Sequence, residues 1–521
     1  MESVSLTSIQ TARAHIGDGI HVSPCQLSHH LSELAGLPLH LKLENLQRTG
    51  SFKERGALNK LLTLSETERK RGVIAASAGN HAQGVAFHAA ARGIKAQIVM
   101  PLATPQIKVA ATRGYGGEVI LFGASYDEAC EEALRRRVEE GRTFIHPFDD
   151  PEVISGQGTI GLELLEQVPD IEAVVVPIGG GGLIGGVACA LKETNPRIRV
   201  IGVEPEKLPS MLRAREAGHP VTISPEATIA DGIAVRRAGD LTLPLVLRYV
   251  DEIVTVDDEE IASAILMLLE QEKTLAEGAG AAALAAVIQA KTNLRHRRTV
   301  VLVCGGNIDV TLLAKIIERG LVKDGRLLRV RVYLQDRPGA LLQLTQILAR
   351  ERANIVETLH NRAYYGVSLS ETVIDVTIET RGATHITAIS HALREAGFRF
   401  ERIQYRGRCR RFLQCSVPRP CDFFLSQGRE TSNLHQPSSP GAPCTRPNST
   451  RSGTVRSSLK PCRLTPSPSS LDRKRNRISL RLWWLHTFPW WSRTKGLMVC
   501  WKATLPRPIA TGRVLRGEKR W

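Results

Sequence analysis

The sequence predicts an α/β fold built from parallel βαβ units, followed by a smaller module and a basic tail. Three observations predict this organisation. Short apolar strands alternate with helical segments through residues 39–305, which is typical of parallel βαβ units. Two glycine-rich loops directly follow strands of that region. Beyond residue 327 the order changes to β-α-β-β-α-β, which is typical of a ferredoxin-like module.

The individual elements are predicted from apolar runs and from apolar residues at helical spacing. Strands are expected at residues 39–43, 72–76, 97–101, 118–122, 172–178, 199–204 and 299–304. Helices are expected after Lys53 and at residues 82–91, 125–140, 159–167, 183–193 and 261–273, and a run of small residues follows at 277–286. In the second module, strands are expected at 328–334, 355–361, 371–380 and 400–404, with helices at 340–351 and 383–396.

The positive charge of the chain is concentrated in its tail. The 521 residues carry a formal net charge of +17, but residues 408–521 alone hold 23 Lys and Arg against 4 Asp and Glu. All six Trp also lie there. The preceding part is therefore nearly neutral. We expect three regions: residues 1–325, 326–406 and 407–521.

The cysteines and the N-terminus favour a cytoplasmic protein. Cys25, Cys130, Cys189 and Cys304 are widely and unevenly spaced, which fits neither a disulfide framework nor a zinc site. The first twenty residues lack a basic segment followed by an apolar one, so no signal peptide is expected. No apolar run reaches the length of a membrane span.

A lysine in the segment Gly50-Ser51-Phe52-Lys53 stands where a loop meets a helix. An amine held there in an apolar pocket loses solvation and becomes a nucleophile toward carbonyl groups. The alternative is a solvated surface lysine, which is the more common situation of this residue type.

Four consecutive glycines at residues 179–182 follow an apolar strand and precede a helix. Amides there can approach a phosphate closely, and the helix N-terminus adds a favourable dipole. A plain tight turn is the alternative. Neither this loop nor Gly305-Gly306 is followed by Lys-Ser/Thr, so nucleotide hydrolysis is not indicated.

Five motifs together resemble one family, the threonine/serine dehydratases, which are pyridoxal-phosphate enzymes of the tryptophan-synthase-β fold type. The motifs are SFKERGA, SAGNHAQG, the tetraglycine of PIGGGGL, the EGAGA run and CGGNID, in that family's order and spacing. The resemblance covers residues 6–320. It implies fold type II, with two parallel-sheet subdomains and pyridoxal 5′-phosphate as the cofactor.

The resemblance also implies site residues. Lys53 is expected to bind the cofactor covalently and then to take the proton from the substrate Cα. The other residues expected at the cofactor are Phe52, Asn80, Gly179, Gly180, Gly181, Gly182, Leu183 and Cys304. Those expected around the substrate carboxylate are Ser77, Ala78, Gly79 and His81, with loop amides as donors. A structural role for His81 is the alternative.

Cys304 bears on the reaction type, Glu54 departs from the pattern of the family, and Glu204 bears on metal binding. A thiol at Cys304 stabilises a protonated pyridine ring less than a carboxylate does, which favours β-elimination over transamination. A small buried apolar Cys is the alternative. Glu54 replaces an apolar residue of relatives and is expected to face solvent. No metal site is expected near Glu204, since Leu208 and Ser210 stand where serine racemases have a carbonyl and an acid.

Residues 327–406 resemble an ACT domain. The turn after the first strand and the start of the second match an effector-binding loop, which gives the candidate residues Asp336, Gly339, Ala340, Leu341 and Asn354. Feedback control by isoleucine or valine is the hypothesis. A dimerisation module without a ligand is the alternative.

The expected activity is deamination of L-threonine to 2-oxobutanoate and ammonia by a homo-oligomer, a dimer or a tetramer. An L-serine dehydratase or serine racemase is the close alternative, and a non-catalytic amino-acid sensor is the alternative of another class. The tail could bind RNA or anionic lipid, could be disordered, or could arise from an altered reading frame or fusion. We favour the last interpretation because composition changes abruptly after residue 406, and nucleic-acid binding is not expected.

Overall fold

A computed structural model describes residues 4–361, 366 and 368–403. The tail predicted at residues 407–521 lies outside the described residues. The described strands are β1 (Cys25–Leu27), β2 (Leu39–Leu43), β3 (Val73–Ala76), β4 (Ala96–Met100), β5 (Glu118–Leu121), β6 (Thr143–Phe144), β7 (Ala173–Pro177), β8 (Arg199–Pro205), β9 (Glu252–Val256), β10 (Thr299–Val303), β11 (Leu327–Gln335), β12 (Asn354–Asn361), β13 (Glu371–Glu379) and β14 (Arg399–Arg402).

The helices of the same residues alternate with these strands. They are α1 (Leu6–Ile16), α2 (His29–Ala35), α3 (Lys53–Leu62), α4 (Glu66–Arg71), α5 (Asn80–Ala90), α6 (Gln106–Gly114), α7 (Tyr126–Glu140), α8 (Pro151–Gln167), α9 (Gly182–Thr194), α10 (Ser210–Ala217), α11 (Thr242–Tyr249), α12 (Asp258–Glu270), α13 (Gly278–Ile288), α14 (Val310–Lys323), α15 (Ala340–Arg350) and α16 (Ala383–Glu395). Among these residues no helix is long and apolar enough to cross a bilayer.

The larger subdomain is built on a six-stranded sheet of order β1-β2-β10-β7-β8-β9. All its neighbouring strands are parallel except β1 and β2. The central strands β7 and β10 consist mainly of Val, with one Ala, Leu, Pro and Thr, and every residue in them is buried. Such strands are typical of parallel sheets covered on both faces by helices.

The smaller subdomain contains a four-stranded parallel sheet of order β5-β4-β3-β6. Helices α5, α6 and α7 pack against it, and α3 packs against both α5 and α8. Because α8 also packs against α9 of the larger subdomain, α3 stands between the two sheets. The predicted fold of two parallel-sheet subdomains is confirmed.

Residues after Gly325 form a separate antiparallel sheet of order β12-β13-β11-β14. Its β-α-β-β-α-β sequence confirms the predicted ferredoxin-like arrangement. Strand β11 alternates buried and partly exposed residues, and its buried side packs with α15 and α16 into a core of its own.

Helix α8 begins at Pro151 rather than at the predicted residue 159. Asp150 starts it, because its carboxylate accepts the amides of Glu152 and Val153. Gly156 and Gly158 interrupt the apolar pattern in the first half of this helix, so the pattern did not predict its first two turns. Gly156 allows contact with α3, where an added Cβ would lie 2.7 Å from Gly56 Cα.

The expectation that Glu54 faces solvent is wrong. Glu54 is fully buried between α3 and α5. Its carboxylate accepts the Thr49 amide at 3.0 Å and lies 3.1 Å from His88 Nε2. The loop before Lys53 and helix α5 therefore supply the polar partners that allow this carboxylate to be buried.

Arg55 lies two residues after Lys53, and its guanidinium is buried between two carboxylates. It binds Glu44 through Nε and Nη2, both at 2.8 Å, and Glu163 through Nη1 at 2.6 Å. Lys42 is buried on the other side of Glu163 and donates to the Ser23 carbonyl oxygen at 2.8 Å. Two cations thus balance two anions, and the group joins β2, α3 and α8.

Replacing Arg55 by Met should lower the free energy of unfolding by about 3–5 kcal/mol, because Glu44 and Glu163 then stay buried with one cation fewer. Urea unfolding followed by far-UV circular dichroism measures this loss. The matched control is Arg213→Ala, which breaks an exposed pair with Glu216 and should change stability by less than about 1 kcal/mol. Equal losses in the two variants would contradict this account of the buried group.

Candidate active site

Lys53 is the first residue of α3 and is partly buried. Its Nζ donates to the Pro147 carbonyl oxygen at 2.8 Å and lies 5.2 Å from the centre of the Phe52 ring. Burial lowers the pKa of Lys53 to about 8, while Cys304 and Glu277 oppose this shift. The amine is therefore neutral in a larger fraction of molecules near pH 8 than a solvated lysine is.

The loop before Lys53 is hydrogen-bonded to the loop after β10. The Phe52 amide donates to the Cys304 carbonyl oxygen at 3.1 Å, and the Gly306 amide donates to the Gly50 carbonyl oxygen at 2.9 Å. Gly50 has φ of +76°, and a Cβ there would lie 2.6 Å from Asn307 Oδ1. Only glycine fits this close approach, so the loop carrying Lys53 is fixed against the end of the central sheet.

The four glycines lie between β7 and α9, as the sequence predicted. Gly181 is the N-cap of α9 with φ of +96°, and Gly182 and Leu183 open the helix. The first amides of a helix have no acceptor within it, so they are available to an anion. The Gly180 carbonyl oxygen accepts from the Thr242 hydroxyl at 2.6 Å, which holds the loop from the side of α11.

Residues 147 and 148 bring Lys53 and the glycines together. Pro147 accepts from the Lys53 amine, and the next residue, Phe148, covers the glycine loop. A Cβ on Gly180 would lie 2.3 Å from Phe148 Cδ2, and a Cβ on Gly182 would lie 2.7 Å from the Phe148 carbonyl oxygen. The amine and the glycine loop thus contact the same short segment.

The predicted substrate-binding residues form the turn between β3 and α5. Ser77, Ala78 and Gly79 are partly exposed, and the Gly79 amide donates to Ser77 Oγ at 3.2 Å. His81 is buried in the first turn of α5, with Nε2 at 2.9 Å from the Ile145 carbonyl oxygen. Nε2 must donate there, so Nδ1 is an acceptor. Burial lowers the pKa of His81 to about 3, and the ring is neutral.

Cys304 follows β10 and is buried. Its thiol donates to the Ala279 carbonyl oxygen at 3.4 Å. Burial, followed by the nearby Glu277, raises the pKa of this thiol, so it stays protonated at neutral pH. Cys304 is therefore a neutral polar group that points toward α13.

Glu204 is buried at the end of β8, and its carboxylate accepts the amides of Met211 and Leu212, both at 2.8 Å. Burial raises its pKa to about 8. The first turn of α10 thus supplies the partners of this carboxylate.

Four of the five candidate effector residues lie together, and one does not. Asp336, Gly339, Ala340 and Leu341 form the turn from β11 into α15. Asn354 pairs in register with Glu379, which pairs with Leu327 at the start of β11. Asn354 therefore stands at the opposite end of a nine-residue strand. Within one chain these five residues do not form one pocket.

The residues around Lys53 fit a phosphorylated aldehyde. The amine has a lowered pKa, and the start of α9 offers amides to a phosphate. Two buried polar atoms near the lysine, Ser51 Oγ and His81 Nδ1, have no partner within the part of the chain that the structure describes. The loops lie at the carboxyl ends of parallel strands, where open α/β sheets bind ligands. These features define the class of pyridoxal-phosphate enzymes.

Comparison with known proteins gives the same result. The family model described as "Pyridoxal-phosphate dependent enzyme" matches residues 16–305, and the chain belongs to this family. The L-threonine ammonia-lyase of Thermotoga maritima is 49% identical over 395 residues, covering 76% of this chain and 98% of that protein. The predicted resemblance to the threonine/serine dehydratases is confirmed.

Solved structures show the same relation. The processed form of threonine deaminase isoform 2 from Solanum lycopersicum has a TM-score of 0.58 and 41% identity, covering 60% of this chain and 86% of that one. Maize serine racemase has a TM-score of 0.58 and 38% identity, and the match covers 61% of this chain and 98% of the racemase.

Two groups beside Lys53 were absent from the sequence-based site. Glu277 belongs to the EGAGA run, but the run does not indicate that this side chain contacts Asn80, which it does at 2.7 Å. Residues 146–149 carry no recognisable motif. His146 Nδ1 accepts the amides of Phe148 and Asp149 at 3.2 and 2.7 Å, which shapes the segment that reaches Lys53. Only the fold brings that segment to the site.

Replacing Gly180 by Ala should reduce the bound pyridoxal phosphate at least about tenfold at limiting cofactor, because the new methyl group displaces Phe148 from the glycine loop. Absorbance of the bound cofactor after dialysis measures its content. Gly114→Ala is the control, since no heavy atom lies within 4 Å of its added Cβ. Full cofactor content in Gly180→Ala would contradict a role for this loop in binding.

Proposed function

We propose that the protein is an L-threonine ammonia-lyase, which converts L-threonine into 2-oxobutanoate and ammonia. Water is lost from Cα and Cβ, and water is taken up again when ammonia is released. The observation that carries the proposal is the partly buried Lys53 amine, with its lowered pKa, beside the segment that covers the glycine loop. The similar protein from Thermotoga maritima bears this activity in its name.

In this proposal the start of α9 and three side chains hold the cofactor. The amides of Gly179, Gly180, Gly181, Gly182 and Leu183 would receive the phosphate. Phe52 would pack beside the ring, Asn80 would donate to its 3′-oxygen, and the Cys304 sulfur would lie near its nitrogen while the thiol donates to Ala279. When bound, pyridoxal phosphate withdraws the electron pair that remains at Cα after proton loss.

Lys53 moves the proton. Its neutral amine takes the Cα proton, and the Pro147 carbonyl oxygen orients the amine through the hydrogen bond it accepts. The protonated amine that results is close to Phe52, whose ring face favours a cation. The proton is therefore held beside the reacting carbon instead of being lost to solvent.

The turn that contains Ser77, Ala78, Gly79 and His81 orients the substrate carboxylate through backbone amides. The turn into α5 directs amides toward an anion. His81 stays neutral because its pKa is about 3, so it contributes an acceptor at Nδ1 rather than a positive charge. That atom suits the ammonium or hydroxyl group of an amino-acid substrate.

L-serine is the second substrate candidate. It shares the α-amino acid group and the β-hydroxyl with L-threonine, and the 38% identical maize structure is a serine racemase. A non-catalytic amino-acid sensor is a weaker candidate, because a sensor has no need of a buried amine with a lowered pKa.

Lys53→Ala should lower the turnover of L-threonine at least about 10³-fold, because both the covalent link and the base are removed. Coupled measurement of 2-oxobutanoate, with L-serine run in parallel, tests this loss and ranks the two substrates. Borohydride reduction and peptide mapping should place the cofactor on Lys53 in the unaltered protein only. Lys70→Ala, at an exposed lysine of α4, is the control. Unchanged turnover in Lys53→Ala would refute the proposal.

We further propose that residues 1–325 are the catalytic domain and residues 326–406 a regulatory domain of a cytoplasmic dimer or tetramer. The turn at Asp336, Gly339, Ala340 and Leu341 is the candidate site for isoleucine or valine. Gly339 is the N-cap of α15 with φ of +89°, and the helix amides after Ala340 have no acceptor within the first turn. Asn354 at the other end of the sheet serves this site only if a second copy supplies it.

Gly339→Ala should raise the isoleucine or valine concentration needed for half-maximal response at least about tenfold, because a side chain is strained at positive φ and shifts the turn. This concentration is measured by following threonine turnover while isoleucine or valine is added in increasing amounts. Gly382→Ala is a matched control, since Gly382 is the N-cap of α16 with φ of +107° and belongs to another turn of the same module. If neither amino acid changes turnover at millimolar levels, this regulatory role is wrong.

A further inference from the structure

Glu277 stands at the N-cap of α13, but its side chain makes no capping hydrogen bond. The carboxylate extends instead to Asn80, whose Nδ2 donates to Oε1 at 2.7 Å. A Cβ on Gly305 would lie 2.3 Å from Oε1, so the absence of a side chain there makes room for the carboxylate. Helix capping therefore does not account for this buried acid.

The contact with Glu277 is one end of a hydrogen-bonded chain. Asn80 Oδ1 accepts from Asn307 Nδ2 at 2.8 Å, and the same Asn307 nitrogen donates to the Thr49 carbonyl oxygen at 2.8 Å. Both ends of the Asn80 amide are thereby assigned, with Nδ2 toward Glu277. One N–H of that nitrogen is left for a further acceptor.

Three charged groups face Glu277, namely Lys53 of α3, Lys108 of α6 and Asp231. Burial, and then Asp231, raise its pKa to about 7, while the Asn80 hydrogen bond, Lys108 and Lys53 oppose the shift. Asp231 is exposed and pairs with Lys108 of α6 at 2.8 Å, and the Cys304 thiol completes the surroundings. Glu277 thus loses its proton as the pH rises through neutrality.

We propose that Glu277 is a positioning residue that fixes the Asn80 amide toward the cofactor and changes the charge beside it between mildly acidic and mildly basic conditions. With Glu277 ionised, the Asn80 N–H groups are held by a full carboxylate. With Glu277 protonated, that acceptor weakens and the Asn80 amide is less firmly oriented. The inference concerns cofactor binding, and its tests measure the bound cofactor rather than the turnover of a substrate.

Glu277→Gln tests the proposal, because glutamine keeps the shape and an acceptor for Asn80 but cannot titrate. The absorbance of bound pyridoxal phosphate is recorded without substrate between pH 5.5 and 8.5. The unaltered protein should show a spectral change centred near pH 7, and Glu277→Gln should lack it. An identical titration in both proteins, or no titration in the unaltered protein, would overturn the proposal.

Asp231→Asn supplies an independent check with a defined sign. Removing the Asp231 charge, and with it the partner of Lys108, favours ionised Glu277 and should move the midpoint to lower pH. A midpoint that stays or moves to higher pH would show that the titrating group is not Glu277.

Glu277→Ala separates the positioning role from the charge. It leaves Asn80 Nδ2 without its acceptor and should weaken pyridoxal-phosphate binding to the apoprotein about tenfold, whereas Glu277→Gln should stay within about threefold of the unaltered protein. Equal affinities in all three proteins would refute positioning. If the unaltered protein binds cofactor and titrates but does not convert L-threonine, the proposed function fails while this inference stands.

Discussion

The start of α3 is fixed from within the protein by a guanidinium that has no access to water. Arg55 binds two buried carboxylates, Glu44 and Glu163, which belong to different elements. Burying four charges is costly unless each is paired and hydrogen-bonded, and here each has partners. The gain is a fixed orientation of the helix, because α3 cannot rotate or slide without breaking these buried ion pairs. The orientation of the lysine two residues earlier depends on this constraint.

A second set of contacts fixes the loop that precedes the same lysine. Glu54 holds Thr49, and the loop after β10 holds Gly50 and Phe52. The amine therefore projects from a backbone that is fixed on both sides, while its own tip meets a carbonyl oxygen in place of water. Preorganisation of this kind reduces the reorganisation that a proton transfer requires.

The sequence allowed most strands of the two sheets, the C-terminal module and most loops of the site to be predicted, because parallel strands of Val, Ile and Leu and the glycine loops have local signatures. It did not reveal β1, β6 or β9. It did not reveal the start of α8, since Gly156 weakens the helical pattern and its purpose is visible only in the contact with α3. Nor did it reveal the burial of Glu54, whose partner His88 lies 34 residues away. The position of Asn354 also depends on strand register rather than on sequence proximity.

The acceptor of the Lys53 amine belongs to the stretch that leads from β6 of the smaller sheet into α8. The residue before Lys53 is anchored to the end of the larger sheet, because the Phe52 amide donates to the Cys304 carbonyl oxygen. A shift of one sheet relative to the other must therefore lengthen or break the hydrogen bond between them. The position of the amine therefore depends on how the two sheets are packed together, because each sheet holds one partner of its hydrogen bond.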